Sequence, residues 1–134
     1  MFFRKIAGPM RIDSESDTGG SVKLYRLKGR PGGRTTKVLQ YMIKVYQTST
    51  DAEVGLDVEH GPDGEIYGLL KAGVIDPTPI ATTPKLLTGA VGAVAVNEEV
   101  IGEWILPIVT VVKGTGGTGV QFAVVEVFEM RKPF

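Results

Sequence analysis

Hydrophobic and polar residues alternate along much of this chain with a period of two. In Glu53-Val54-Gly55-Leu56-Asp57-Val58-Glu59 the apolar Val54, Leu56 and Val58 fall on one side and the acids on the other, as in a half-buried β-strand whose successive side chains point to opposite faces. Gly61-Pro62-Asp63-Gly64 follows, with proline at the second turn position and glycine at the fourth, which predicts a type I turn. A return strand over 65–70 would complete a hairpin. In the run 36–48, Leu39, Tyr41, Ile43 and Val45 share a face while Gln40, Lys44 and Gln47 interrupt it, so one long strand, or one strand with a bulge, is expected. A shorter strand is predicted over 21–28, closed by the loop Gly29-Arg30-Pro31-Gly32-Gly33.

Residues 100–113 and 120–131 are dense in Val, Ile and Phe on both faces, the mark of strands in the middle of a sandwich. Between them Gly114-Thr115-Gly116-Gly117-Thr118-Gly119 is expected to be a flexible hairpin tip. Pro77, Pro79 and Pro84 lack the amide that a ladder needs, so 71–88 is expected to be an extended Pro-rich surface loop. The small apolar residues of 89–96 fit a close-packed strand or a short helix, and periodicity does not separate the two. Six or more strands without helices to cover a sheet predict an all-β fold, a β-sandwich or jelly roll with a Gly-rich hairpin and a Pro-rich loop. The expected organisation is an N-terminal arm, residues 1–20, followed by a single β-sandwich domain over 21–134.

Composition narrows the function classes. The absence of cysteine removes disulfides, thiolate metal sites and a cysteine nucleophile. The most apolar stretch, 104–112, is about half the ~18 residues of a membrane-crossing helix, and Met1–Pro9 lacks the apolar core of a secretory signal. An intracellular origin with no membrane partner is expected. Basic and acidic side chains number 15 each, so the overall charge does not point to nucleic acid. The charges are nevertheless segregated: residues 1–50 hold ten basic side chains and three acids, residues 51–134 five and twelve. Either the two halves fold against each other, or one face is positive and another negative and copies attract head to tail or around a ring.

Several candidate sites have structural explanations. Gly114, Gly116 and Gly119 match G-x-G-x-x-G, but that motif needs a helix to receive the pyrophosphate, and Val120–Val127 has the pattern of a strand. Asp57, Glu59, His60, Asp63 and Glu65 lie within nine residues. Strand alternation turns Asp57 and Glu59 outward and the ligand spacing of a Ca²⁺ loop is absent, so a solvated acidic edge is expected, with no metal. His60 is the only histidine and has no nucleophile beside it in sequence. With no paired catalytic carboxylates and no Ser-His-Asp arrangement, neither catalysis nor a cofactor is expected. Lys23, Arg26, Lys28, Arg30, Arg34 and Lys37, with Tyr25 and Tyr41, would suit phosphates and bases, but no nucleic-acid motif accompanies them and an acidic protein surface fits better. Trp104 is expected in the core or, exposed beside Tyr67 or Tyr46, as a platform for a sugar ring.

Leu56-Asp57-Val58-Glu59-His60-Gly61-Pro62-Asp63-Gly64 and the segment from Gly119 through Glu126-Val127-Phe128-Glu129-Met130-Arg131-Lys132-Pro133-Phe134 resemble small β-rich virion proteins of tailed bacteriophages, especially marine ones. The resemblance implies a jelly roll or β-sandwich that associates as trimers or rings, serving as a capsid decoration (cement) protein or a tail component, without catalysis. On that reading the chain is expected in the virion, assembled in the host cytoplasm, with other copies of itself and a major capsid or other virion protein as partners. The expected contact residues are Arg4, Lys5 and Arg11 on the arm, Arg30 and Arg34 on the first Gly-rich loop, and Pro77, Pro79 and Pro84 on the long loop. The alternative is a glycan-binding β-sandwich module centred on Trp104.

Overall fold

The alternating segments become strands. The computed structural model describes residues 3–32, 36–65, 67–91 and 103–133, with 36–38 and 133 described by their backbone alone. Among these residues every regular element is a β-strand: β1 (Arg4–Asp13), β2 (Val22–Arg26), β3 (Arg30–Pro31), β4 (Thr36–Thr48), β5 (Ala52–Gly61), β6 (Gly68–Pro79), β7 (Lys85–Ala90), β8 (Trp104–Lys113) and β9 (Phe122–Pro133). One sheet has the order β1-β9-β4-β7 and the other β2-β8-β5-β6, with β3 also paired to β8. All of these pairings are antiparallel. The order describes a ribbon rolled on itself: β1 lies on β9 as β2 lies on β8, and β4 lies on β7 as β5 lies on β6. This is the eight-stranded jelly roll, with the short β3 added.

The two runs with apolar side chains on both faces, β8 and β9, are each central in their sheet. The predicted inward faces are the core: Leu39, Tyr41, Ile43 and Val45 from β4, Val54, Leu56 and Val58 from β5, with Ile105, Val109 and Val111 from β8 and Ala123, Val125 and Val127 from β9. Each large side chain so buried contributes about 1.5–3 kcal/mol. The bulge expected in 36–48 is a register shift against β9 between Val45 and Gln47.

Three expectations are corrected. Residues 4–13 are not a free arm but the edge strand beside β9, because Arg11, Ile12 and Asp13 pair in register with Val124, Ala123 and Phe122. The stretch 71–88 is mostly strand: Pro79 pairs with Glu53, and Pro77 sits in the irregularity between Ile75 and Thr78. An edge strand needs ladder amides on one side only, so proline is tolerated there. Third, 114–121 turns no hairpin within a sheet, since it carries the chain from β8 across to β9 in the other sheet. The question of strand or helix over 89–96 is answered only in part: Gly89 and Ala90 end β7, and 92–96 lie outside the described residues.

Pro107 lies in a central strand, where a missing amide normally leaves a gap in the ladder. Its carbonyl accepts the Leu27 amide at 2.9 Å, and the two polar groups of one strand residue point to the same side. Its nitrogen therefore faces the interruption between β2, which pairs with β8 as far as Ile108, and β3, which resumes at Ile105. The edge breaks where the central strand has no amide to offer.

Candidate functional site

The expected contact residues do not gather into one patch. Arg4, Lys5 and Arg11 line the β1 edge, whereas the exposed Pro77, Pro79 and Pro84 belong to the opposite side, on β6 and just before β7. Arg34 lies outside the described residues. Lys5 Nζ is 3.3 Å from Glu126 Oε2. Arg11 bonds Asp13 at 3.0 Å and covers the Phe122 ring at 4.1 Å. Arg30 is committed to Glu129.

Glu129 is the centre of the most heavily charged buried group. It faces the core from β9 with 3% exposure. Its Oε2 accepts the Tyr41 hydroxyl at 2.7 Å, and its Oε1 accepts both Arg30 and, at 2.7 Å, Arg131 Nε. Arg131 also donates to the Pro31 carbonyl at 2.7 Å, so β9 and β4 of one sheet are clamped to β3 of the other. Burial lowers the Arg30 pKa against the pull of Glu129, and Arg131 and Arg4 add to the lowering. Burial, then Glu129, raises Tyr41 well above the usual phenol value, which keeps its hydroxyl a donor. Tyr41 is thus a core residue and not a stacking platform.

A second polar group organises the opposite end. Lys113 is 2% exposed and donates to the carbonyls of Gly114 (3.2 Å) and Gly117 (2.6 Å), with Asp51 Oδ2 at 3.7 Å. Asp51 Oδ2 accepts the Gly117 amide at 2.7 Å, and Gln121 accepts the Asp51 amide while donating to Thr118. A Cβ on Gly117 would stand 2.6 Å from the Asp51 Cβ, so the glycine allows this close approach. Hydrogen bonds from Ser14 to Gln121 and from Gly20 to Lys113 join residues 14–21 to the same plug. The segment expected as a flexible tip is tied to three neighbouring segments.

The remaining candidates are likewise engaged. Asp57 accepts the Gly73 amide at 2.7 Å, Glu59 pairs with Arg26, and Asp63 accepts the Glu65 amide within the turn. His60 is half-buried, and burial lowers its pKa. No group of three His, Cys, Asp or Glu side chains with metal-binding geometry occurs among the described residues. Trp104 is half-buried with its six-membered ring against Gly64, while the Tyr67 hydroxyl lies against Gly29 and Tyr46 is on the other sheet; the three form no common platform. Tyr25 lines a groove of about 390 Å³ between the β1 and β2 edges, with Ile6, Pro9, Met10 and Lys28.

Segregated charge survives in altered form. Lys5–Glu126, Arg26–Glu59 and Arg30–Glu129 join the two halves of the sequence within one fold. The strands of the β1-β9-β4-β7 sheet nonetheless hold eight basic residues and three acids, those of the other sheet five and four. On the outer face of the basic sheet, Glu126 accepts the Tyr46 hydroxyl and pairs with Lys5. Chiefly the Tyr46 hydroxyl, helped by Lys5 and Lys44, holds the Glu126 carboxyl below its usual value against the effect of burial. A carboxyl depressed in this way stabilises the fold above its unfolded pKa and loses that contribution as pH falls through the folded one. Tyr46→Phe is therefore expected to lower the urea midpoint at neutral pH and to converge with the parent as pH falls below the usual carboxylate range. Parallel midpoint profiles would show that this bond does not couple to folding.

No family model and no curated protein matches the chain. Similarity is found among solved structures. Over 98% of its length the chain superposes on a chain in the structure of the infectious bursal disease virus Gx strain, with a TM-score of 0.59 and 14% identity. What the two share is the fold. A chain of the infectious bursal disease virus VP2 subviral particle is also found, with a TM-score of 0.39, 13% identity and 98% coverage of this chain. This chain spans 31% and 41% of those two viral chains.

Proposed function

We propose that this chain is a structural subunit of a viral particle, without catalytic activity, that binds copies of itself and a particle surface. The observation that supports it best is the complete jelly-roll topology, matched over nearly the whole chain by a chain in a virus structure. The jelly roll also serves proteins with other tasks, and the viral reading draws further support from the basic sheet and from the virion-like segments 56–64 and 119–134. In its most specific form the proposal is a capsid decoration protein of a tailed bacteriophage, with a tail component as the alternative, located in the virion after assembly in the host cytoplasm. Arg4, Lys5, Arg11, Arg34 and the exposed Pro77, Pro79 and Pro84 are the proposed contacts, with Arg30 acting indirectly by holding β3 in place.

Native mass spectrometry at low and moderate salt tests the proposal. A defined oligomer that weakens as salt rises is expected, since exposed charges are screened over roughly 8–10 Å at physiological salt. A monomer at every concentration that also leaves decoration-free particles unbound would remove it.

A further inference from the structure

The jelly roll is closed along one side and open along the other. Beside β6 and β7 the sheets meet: Gly89 lies against the Val74 backbone, and Lys71 Nζ donates to the Ala90 carbonyl at 3.3 Å. Beside β1 and β2 no backbone hydrogen bond joins the sheets among the described residues, and the groove of about 390 Å³ runs between the two edges. Ile6, Ala7 and Met10 form its β1 wall and pack, only partly buried, against the core. The core is unsealed along this margin.

The two edges that flank the groove differ. β1 is interrupted by Pro9 and by two register shifts against β9, and prolines and bulges keep an edge from templating a further strand. β2 pairs with β8 from Val22 to Arg26 without a shift. The Ser21 carbonyl accepts the Lys113 amide and the Leu27 amide donates to the Pro107 carbonyl. Residues of an antiparallel strand alternate between facing the partner and facing away, so Val22, Leu24 and Arg26 turn their N–H and C=O groups outward, where no described strand receives them. Leu24 is 54% exposed, and Val22 and Tyr25 are exposed beside it. The charged side chains lining the groove are Arg26 and Lys28, with no carboxylate among the lining residues. Arg26 pairs with Glu59, whereas Lys28 is exposed and has no ion-pair partner among the described residues.

We propose that the β2 edge receives an extended, acidic segment of a different particle protein, paired antiparallel to β2 along the groove. The inference rests on the particle-binding reading and names its surface and the chemistry of its partner. Side chains of the added strand alternate between faces. Apolar ones on the inner face cover Ile6, Met10 and Tyr25 and seal the core, while carboxylates on the outer face meet Lys28 and Arg26. Main-chain hydrogen bonds supply the affinity and the side chains the selectivity, as in other strand additions. A second copy does not supply such a segment from its described edges: β1 is interrupted by proline, β2 holds no acid, and β6 and β7 are closed on each other.

A capped peptide of alternating glutamate and valine is the probe. At roughly 1 mM it is expected to slow exchange of the Val22, Leu24 and Arg26 amides in the parent, leaving those of β6 and β7 unchanged. Leu24→Pro removes one outward amide without touching the β8 ladder, a place where an edge tolerates proline, and is expected to weaken the peptide at least about tenfold. Lys28→Glu, at an exposed side chain with no ion pair to lose, is expected to weaken it several-fold at low salt and less at high salt; it carries the test alone if the proline variant does not fold. No protection in the parent, unchanged affinity in the folded variants, or equal protection by a lysine–valine peptide overturns the proposal. Protection of the same amides by raising the protein concentration alone assigns the edge to a second copy and also overturns it, as does protection by single-stranded DNA. Particles that bind Leu24→Pro as well as the parent remove this edge and leave particle binding standing. Particles that bind neither protein, with the peptide response intact, keep the edge and remove the particle reading.

Discussion

Glu129→Leu is expected to destabilise the fold by about 3–5 kcal/mol, the cost of removing one partner from a buried ion cluster. The leucine would fill much of the space, so the loss comes from charge. Arg30 and Arg131 would remain against the core with Arg4 nearby and no carboxylate between them, and the Tyr41 hydroxyl would lose its acceptor. Urea denaturation of the parent and variant reads the loss directly from the midpoint at constant slope. Combining Arg30→Met and Arg131→Met with Glu129→Leu is expected to recover most of it, because an apolar replacement of a whole buried cluster is often neutral. A single variant within about 1 kcal/mol of the parent would mean that water reaches the guanidinium groups and that the clamp contributes little.

Gly89→Ala is expected to cost about 3 kcal/mol, the upper end for overpacking, for a reason of shape. Gly89, one residue before the end of β7, pairs with Tyr41, and a methyl there would overlap the Val74 carbonyl oxygen of β6 and stand 2.8 Å from its carbon. Both obstacles are backbone, so no rotamer change relieves them. At this side the two sheets close backbone to backbone. Thermal unfolding measures the cost, and slower exchange of β6 and β7 amides in the parent than in the variant would locate it. A variant with unchanged melting would mean that β6, already irregular against β5, shifts outward freely.

The elements legible in the sequence were those whose burial repeats locally. Val54, Leu56 and Val58, like Leu39, Tyr41, Ile43 and Val45, mark their faces by alternation alone, and the apolar density of β8 and β9 marks them as central. What escaped depends on distant partners. Pro77 and Pro79 contradict a strand unless β6 is known to be an edge, and Arg4–Asp13 has no clear alternation because Gly8 and Pro9 bend it. Glu129 and Lys113 have the character of solvated strand residues. Their burial follows from Arg30, 99 residues away in the chain, and from Asp51, and no local pattern carries that. The contact residues were chosen by charge, and charge does not tell Arg30, locked to Glu129, from Arg11 at the surface.

The rolled ribbon also sets the order in which the molecule can form. β9 is the central strand on which β1 and β4 both pair, yet it comes after all the other described strands. Until it has been synthesised, β1 has no neighbour within its sheet and must wait as an unpaired strand. Sheet closure thus joins residues as far apart as Arg4 and Glu129, and such non-local pairing places folding in the millisecond-to-second range of about 10⁻³–1 s. Nascent chains released before residue 122 are expected to hold the β5–β6 hairpin and to expose the basic sheet's strands to chaperones.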